Sequence, residues 1–412
     1  MANPSELRER NLGAVLTEIC AGAIPGGRAP ARSEIARRTG LHKTTVSLLA
    51  DELLAAGLIA ELDPPAATRS GRPPLPLVPA PGRLAGLGLE VNVEYLGLTA
   101  IDLAGAVQAQ RFEAGDLRGS KPQAVLDRLA RQSADVIERL ERNGTEVVGI
   151  GLALPGLTTT AGGQFALLNA PNLGWRDLDL APFRDRFGRP LTLDNEANLA
   201  ARAEVRLAHP NPAERTFVYL SGGVGIGAAL VSDAVQIAGL HGWAGEVGHV
   251  TVEPGGPVCT CGARGCLEVF AGRRAIARAA RLGETAGPRE ALEALGGASG
   301  GSGLACRRGE NPLEGVVDHL ATGLSGVLNL LDFTQVVLGG DFAILAPVLA
   351  RPLQAALTER VLAARWGGAE VTVRAARAGT TAAMEGAAWA VLDGVLANPA
   401  PHLAGPGRHA AA

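Results

Sequence analysis

Seven prolines between positions 64 and 81 divide this chain into two parts with different patterns of secondary structure. Proline lacks a backbone N–H and fixes φ, so a run this dense favours an extended, semi-rigid segment over a helix or a central strand. We therefore predict a domain at residues 1–63 with an extension to about residue 72, a linker at 64–82, and a larger body that begins at residue 83.

The first part carries the signals of three short helices. Apolar residues at helical spacing mark the first helix between Leu12 and Ile19. Ser33 is a natural N-cap for the second helix, Gly40 ends that helix, and residues 41–57 form the third. Two short helices joined by a glycine turn and followed by a hairpin are typical of a winged helix-turn-helix domain.

The third helix would present small hydroxyls and a cation at its exposed N-terminal end, where they can reach base edges and phosphates in a major groove. The candidate DNA-binding residues, including arginines placed to clamp the flanking backbone, are Arg38, Lys43, Thr44, Thr45, Ser47 and Arg72. The alternative is a helical bundle that serves only dimerisation. Residues 1–80 hold nine basic and eight acidic side chains, so DNA binding depends on a local patch.

The second part alternates apolar strands with helices, which indicates an α/β body. The helix predicted at 122–142 and the strands predicted at 147–154 and 335–338 are examples. No run of 18 or more apolar residues occurs and the first residues contain no apolar secretory segment. We therefore expect a cytoplasmic protein without a membrane span.

Three of the five cysteines lie within eight residues and follow a histidine. In a cytosolic protein this clustering favours metal ligation over disulfides. Three thiolates and one imidazole complete a tetrahedral Zn²⁺ shell and leave no open position, so we predict a structural zinc site. Its ligands would be His249, Cys259, Cys261 and Cys266. The alternative is three free thiols in a loop.

Carboxylates, an amide and an imidazole flank this cluster and recur after the predicted strand at 191–193. Together they are suited to bidentate hydrogen bonds with vicinal hydroxyls. Taken singly, each acid is better interpreted as a solvated surface charge or a helix cap.

Two adjacent motifs resemble the signature of the ROK family (repressors, open reading frames, sugar kinases). They are Gly245-Glu-Val-Gly-His249 and Cys259-Thr-Cys-Gly-Ala-Arg-Gly-Cys-Leu-Glu268. The similarity continues through residues 151–156, 172–175, 194–198 and 337–340 and covers most of residues 84–390. The N-terminal unit is similar to that of the family's xylose-repressor-like branch.

The resemblance implies a two-lobed, actin- and hexokinase-like (ribonuclease H-like) α/β body with a sugar bound between the lobes. The N-terminal lobe would comprise residues 83–200, and the C-terminal lobe, with the zinc loop, residues 201–412. His249 would contact the sugar while its other face serves zinc. The implied sugar-binding residues are Asn195, Glu196, Glu246, His249 and Glu268.

Kinases of this family carry an acid-x-Gly-Gly-Thr phosphate loop, in which glycines let backbone N–H groups approach the phosphates. The matching residues here are Glu90-Val91-Asn92-Val93-Glu94. Val93 adds a side chain where none fits, and Glu94 places negative charge against a phosphate. The kinases' catalytic aspartate is replaced by Glu196. We therefore predict that the protein is not an enzyme, and that the Gly-rich segment 221–227 is a tight strand–turn–strand.

The resulting hypothesis is a sugar-responsive transcriptional regulator, specifically a repressor. A homodimer or homotetramer would bind a palindromic operator, and a small sugar between the lobes would shift an equilibrium that the Pro-rich linker transmits to the DNA-binding units. The alternatives are an ATP-dependent sugar kinase and a regulator whose DNA binding is relieved by a phosphotransferase-system protein.

Overall fold

The computed structural model describes residues 3–23, 27–63, 75–160, 164–208, 212–296 and 312–404. Of the sequence predictions, Arg72, the tip of the wing and most of the glycine-rich loop at 296–303 lie outside these residues. Within the described part, no helix combines the length and the apolar character that crossing a membrane requires.

The N-terminal unit packs three helices against a two-stranded antiparallel sheet. Its elements are α1 (Pro4–Ala21), α2 (Arg32–Thr39), α3 (Lys43–Ala55), β1 (Ile59–Glu61) and β2 (Leu77–Pro79). The apolar stripe of each helix faces one shared core, as helical periodicity predicts. Gly40 ends α2 with φ of 71°, a left-handed conformation that suits glycine.

The predicted N-cap of α2 was wrong by two residues. Ala31 occupies the N-cap in place of Ser33, and its backbone N–H donates to the Glu34 carboxylate at 3.3 Å. Glu34 thus satisfies one of the N–H groups that a helix start leaves open, a role that the local sequence had suggested for the serine hydroxyl.

Part of the segment predicted as a linker forms strand β2. Leu77 is fully buried, pairs with Glu61 across the sheet, and donates its backbone N–H to Pro30 at 2.9 Å. Prolines at positions 76 and 79 are tolerated because they stand at the ends of a short edge strand. This stretch of the proline-rich segment therefore belongs to the folded N-terminal unit.

The N-terminal lobe is built on a five-stranded sheet in the order β10-β6-β3-β4-β5, with a smaller sheet β7-β8-β9 beside it. Its elements are β3 (Leu84–Val91), β4 (Tyr95–Asp102), β5 (Val107–Ala114), α4 (Pro122–Arg142), β6 (Glu146–Leu154), β7 (Leu157–Thr159), β8 (Ala166–Ala170), β9 (Trp175–Asp179), α5 (Ala181–Phe187) and β10 (Leu191–Asn195).

The C-terminal lobe repeats this strand order in its own sheet, β13-β12-β11-β14-β15. In each sheet, three consecutive antiparallel strands form a meander, and two further strands run parallel to the first strand of that meander. The remaining elements are α6 (Glu196–Leu207), β11 (Phe217–Gly222), β12 (Ile226–Ser232), β13 (Val235–Gln236), α7 (Leu267–Ala271), α8 (Arg273–Ala279), α9 (Pro288–Ala294), α10 (Glu314–Leu331), β14 (Gln335–Gly340), α11 (Asp341–Arg360), α12 (Leu362–Gly367), β15 (Thr372–Ala375) and α13 (Ala382–Ala397).

Helix α13 lies within the range 201–412 assigned to the C-terminal lobe, yet it packs on strands β3, β4 and β6 of the N-terminal lobe. Glycines permit this close approach. A Cβ at Gly88 would stand 1.8 Å from the Met384 carbonyl oxygen, and one at Gly151 would stand 2.1 Å from that of Ala387. The C-terminal end of α13 packs against α1, so this helix joins the N-terminal unit to the body.

Candidate functional site

The histidine and the three clustered cysteines come together as one group. The Nδ1 atom of His249 lies 3.7 Å from the Cys259 sulfur, and the Cys261 and Cys266 sulfurs lie 3.7 Å apart. All four ligand atoms lie within 4.8 Å of one another. Zn–S bonds of about 2.3 Å at a tetrahedral ion would place sulfurs about 3.8 Å apart, so the spacing fits a four-ligand metal centre.

His249 connects this metal centre to the cleft between the lobes. Its Nδ1 faces Cys259, whereas its Nε2 lies 3.9 Å from the Glu246 carboxylate. If Nδ1 binds a metal, Nε2 keeps its hydrogen and can donate it toward Glu246 or a ligand in the cleft. The two roles that the resemblance implied for His249 are therefore geometrically compatible.

The cleft has a volume of about 720 Å³ and receives side chains from both lobes. Such a volume is typical of small-molecule sites. All five residues proposed to bind sugar line it, namely Asn195, Glu196, Glu246, His249 and Glu268. The turn between β3 and β4 and the Gly-rich turn between β11 and β12 line the same cleft from opposite lobes.

Asn195 has its amide largely committed to the fold. Its Oδ1 caps α6 by accepting from the Ala197 N–H at 2.8 Å, and its Nδ2 donates to the Gly156 carbonyl at 2.9 Å. These bonds fix the first turn of α6 and so aim Glu196 into the cleft. Burial, reinforced by the charge of Glu90, raises the pKa of Glu196 to about 8.

Glu246 and Glu268 contribute carboxylates to the cleft from the loop that carries His249 and the three cysteines, residues 246–268. Glu268 accepts from the Ile226 N–H at 3.0 Å and from the Thr260 hydroxyl at 3.3 Å, so it holds the Gly-rich turn against the loop. Burial raises the pKa of Glu246 above its ordinary value. Within the part of the chain that is described, its carboxylate has no hydrogen-bond donor, which leaves it available to a ligand hydroxyl.

A buried acid at the end of β3 also lines the cleft. Glu90 is 2% exposed and accepts from the Tyr95 hydroxyl at 2.6 Å and from the Asn92 amide at 3.4 Å. Burial raises its pKa to about 7, although these two hydrogen bonds oppose the shift. Its Oε2 atom is buried and unpartnered within the described chain. An unpartnered buried polar atom favours a ligand or water there.

The N-terminal end of α3 is exposed, as the sequence predicted. Lys43 and Thr44 are exposed, Thr45 and Ser47 are half-buried, and Leu48 beside them is 63% exposed. His42 caps the helix, with its Nδ1 accepting from the Thr44 N–H at 3.4 Å. These side chains form one polar surface that also offers an apolar contact.

The arginines near this surface differ in their availability. Arg38 is exposed but lies 3.4 Å from the Glu18 carboxylate of α1. Arg32 pairs with Asp51 at 2.8 Å and with Glu61 at 3.1 Å, which holds α2, α3 and β1 together. Lys43 of α3 therefore forms no ion pair with any described residue. The charge of Arg38, by contrast, is partly neutralised by Glu18.

Sequence reasoning missed several residues of the cleft. Tyr95, Arg273 and Asp341 line it, and none belongs to a motif that the sequence analysis used for a site, whereas Thr260 lies inside the cysteine motif but was given no role. Tyr95 immediately follows the altered phosphate-loop segment, which is the one local signal that pointed near it. Arg273 and Asp341 are contributed by helices far apart in the sequence, so only the folded chain brings them together.

Comparison with known proteins gives a consistent result. Residues 87–393 match the sequence model of the ROK family. A xylose repressor from Bacillus spizizenii is 27% identical over 80% of this chain and 83% of its own length. A glucokinase from Halalkalibacterium halodurans is 30% identical over 61% of this chain and 78% of its own.

A solved structure extends this comparison to the fold. It is described as a ROK family transcriptional regulator and a homologue of the E. coli MLC protein. It matches with a TM-score of 0.70 at 23% identity, covering 95% of this chain and 98% of the other. The match confirms the predicted two-lobed α/β body.

Proposed function

Because this chain belongs to the ROK family, we propose that it is a sugar-responsive transcriptional regulator, specifically a repressor that acts in the cytoplasm. The observation that carries the proposal is that one chain combines a polar two-lobed cleft with a helix whose exposed end bears Lys43 and Thr44. The likeness to a xylose repressor along most of both chains supports this function and makes D-xylose the first effector to test.

In this proposal the cleft binds a small sugar through hydrogen bonds to vicinal hydroxyls. The carboxylate of Glu246, which has no hydrogen-bond donor among the described residues, accepts from sugar hydroxyls on one side, and Nε2 of His249 donates. Burial raises the pKa of Glu196 to about 8, which favours its neutral form, and a neutral carboxyl can donate a hydrogen bond to a sugar hydroxyl. Zn²⁺ held by His249 and the three cysteines would fix the loop that carries Glu246.

We further propose that two chains form a homodimer on a palindromic operator, with α3 of each chain in a major groove. Lys43 would contact a phosphate or a base edge, and Thr44, Thr45 and Ser47 would contact neighbouring base edges. Arg38 would reach the flanking backbone only if DNA displaces it from Glu18. The role of Arg72 stays a prediction from sequence, because the described residues do not include it.

Two substitutions should separate the proposed functions. We expect Lys43→Ala to weaken binding to an operator selected from random DNA by about tenfold, because one charged contact is lost, and to leave D-xylose affinity unchanged. We expect Glu246→Gln to weaken D-xylose binding by at least about tenfold and to leave sugar-free operator affinity unchanged. Fluorescence anisotropy measures the first affinity and calorimetry the second.

Each substitution has a matched control in the chain. Lys121→Ala removes the other lysine, which is exposed at the start of α4, and Glu253→Gln changes an exposed acid of the zinc loop. Retention of no DNA sequence by the wild-type protein would contradict a regulator. Operator binding that responds to none of a panel of mono- and disaccharides would instead favour control by a protein partner.

The second candidate function is a sugar kinase, which the glucokinase relative and the cleft-facing Glu196 favour. We expect no ADP release above background when the protein is mixed with MgATP and D-xylose or D-glucose. Val93 and Glu94 replace the small residues of a phosphate loop, so the backbone cannot approach the phosphates of a nucleotide closely. A coupled assay measures turnover, and turnover that disappears in Glu196→Ala would overturn the regulator in favour of an enzyme.

A further inference from the structure

An ion-pair network crosses the cleft between the two lobes. Arg273, at the start of α8, binds Asp341 through two hydrogen bonds, from Nε at 2.6 Å and from Nη2 at 3.1 Å. Its Nη1 also donates to the carboxylate of Glu94. We call these three residues the charge latch.

The three members of the charge latch come from both lobes. Glu94 lies on the turn between β3 and β4 of the N-terminal lobe, and the backbone of that turn is fixed by a 2.8 Å bond from the Gly115 N–H to the Glu94 carbonyl. Arg273 and Asp341 belong to the C-terminal lobe and are largely buried, with side-chain exposures of 16% and 14%. Glu94 is 41% exposed, so opening the cleft would release it to water.

We infer that Arg273 is a positioning residue that holds the two lobes together at the place where a kinase of this fold would hold phosphates. This inference rests on the proposed function, because it explains how a sugar site stays assembled without a nucleotide. In the absence of the latch, the free protein would populate open lobes. Sugar affinity would then fall in proportion to the lost closed fraction.

Electrostatics at the charge latch also disfavour a nucleotide. Arg273 and Arg289 are the arginines among the described residues that line the cleft, and two carboxylates already share the charge of Arg273. A triphosphate would have to break the pair between Arg273 and Glu94 and then face the unpaired carboxylate of Glu94, which repels it.

Glu94→Gln tests the latch with little other change. It removes the inter-lobe charge pair, keeps the size of the side chain, and leaves the bonds between Arg273 and Asp341 intact. Glu113→Gln is the matched control, because Glu113 is 35% exposed and pairs with Arg128 inside the N-terminal lobe. Amide hydrogen exchange is compared in the segments 92–97 and 268–275, which carry the two sides of the latch.

We expect exchange in both segments to be about three- to tenfold faster in Glu94→Gln than in the wild type, and unchanged in Glu113→Gln. Salt at 0.5 M should raise the exchange rates of the wild type toward those of Glu94→Gln, because screening weakens a partly exposed ion pair. D-xylose affinity should fall about three- to tenfold in the same variant.

The exchange experiment is independent of the effector. If neither protein binds D-xylose but exchange still differs, the proposed sugar response fails for this sugar and the latch stands. Equal exchange in Glu94→Gln and Glu113→Gln overturns the latch. Protection of segment 92–97 by MgATP in the wild type also overturns it, because a nucleotide and the intact latch compete for one place.

Discussion

Replacing Cys259 with serine is expected to release the metal and to lower the melting temperature by about 10 °C. Cys259 is 4% exposed, but the loop around it has little apolar core of its own, since Val250 and Val258 are 41% and 60% exposed. Metal ligation therefore replaces core packing in this loop. Structural zinc contributes about 10 kcal/mol or more to folding in small domains, and losing about half of that accounts for the expected shift.

The same substitution should abolish D-xylose binding, because the loop positions His249 and Glu246 at the cleft. Metal content by atomic emission, thermal unfolding and calorimetry measure the three effects. Cys20→Ala is the control, since Cys20 lies in the core of the N-terminal unit away from the metal centre. If Cys259→Ser keeps a full equivalent of metal, the four-ligand assignment is wrong. If it loses metal without loss of stability, the site is not structural.

Local pattern predicted those elements whose signals are contained in their own residues. Helix α4 occupies Pro122–Arg142 as expected, because proline at its first position and a strong apolar stripe define it without help from the rest of the chain. The Gly-rich turn joins two antiparallel strands, as a strand–turn–strand would. Strand β2 was assigned to a linker because its prolines are a strong local signal. Its three-residue pairing with β1 depends on a partner that the local sequence does not show.

Much of the candidate site was predictable for a different reason. The cysteines, His249 and Glu246 are close in sequence and resemble a family signature, so their association needs little knowledge of the fold. The charge latch could not be found in this way, because Glu94 and Arg273 are separated by 179 positions. Helix α13 is a similar case, since its close approach to Gly88 becomes evident only when sheet and helix are both in place.

Gly13→Val is expected to separate the N-terminal unit from the body and to remove the response of operator binding to sugar. A Cβ at Gly13 would stand 2.6 Å from the carbonyl oxygens of Leu396 and Ala397, which are backbone atoms that cannot turn aside. Helix α1 must therefore move away from α13. The other end of α13 reaches the cleft, where Ala382 and Ala383 line it, so this helix offers a rigid connection from sugar to DNA.

Anisotropy with the selected operator, with and without D-xylose, measures the response, which we expect to fall below about twofold in Gly13→Val. Gly394→Val is the control, because Gly394 lies on the exposed side of α13 with open space around it, and glycine-to-valine changes helix propensity by a similar modest amount at both positions. A wild-type response in Gly13→Val would mean that the signal passes through the proline-rich segment, as the sequence alone suggested. If Gly13→Val loses the sugar response and Gly394→Val keeps it, the signal passes through α13, because the sequences of β2 and the proline-rich segment are unchanged in both variants.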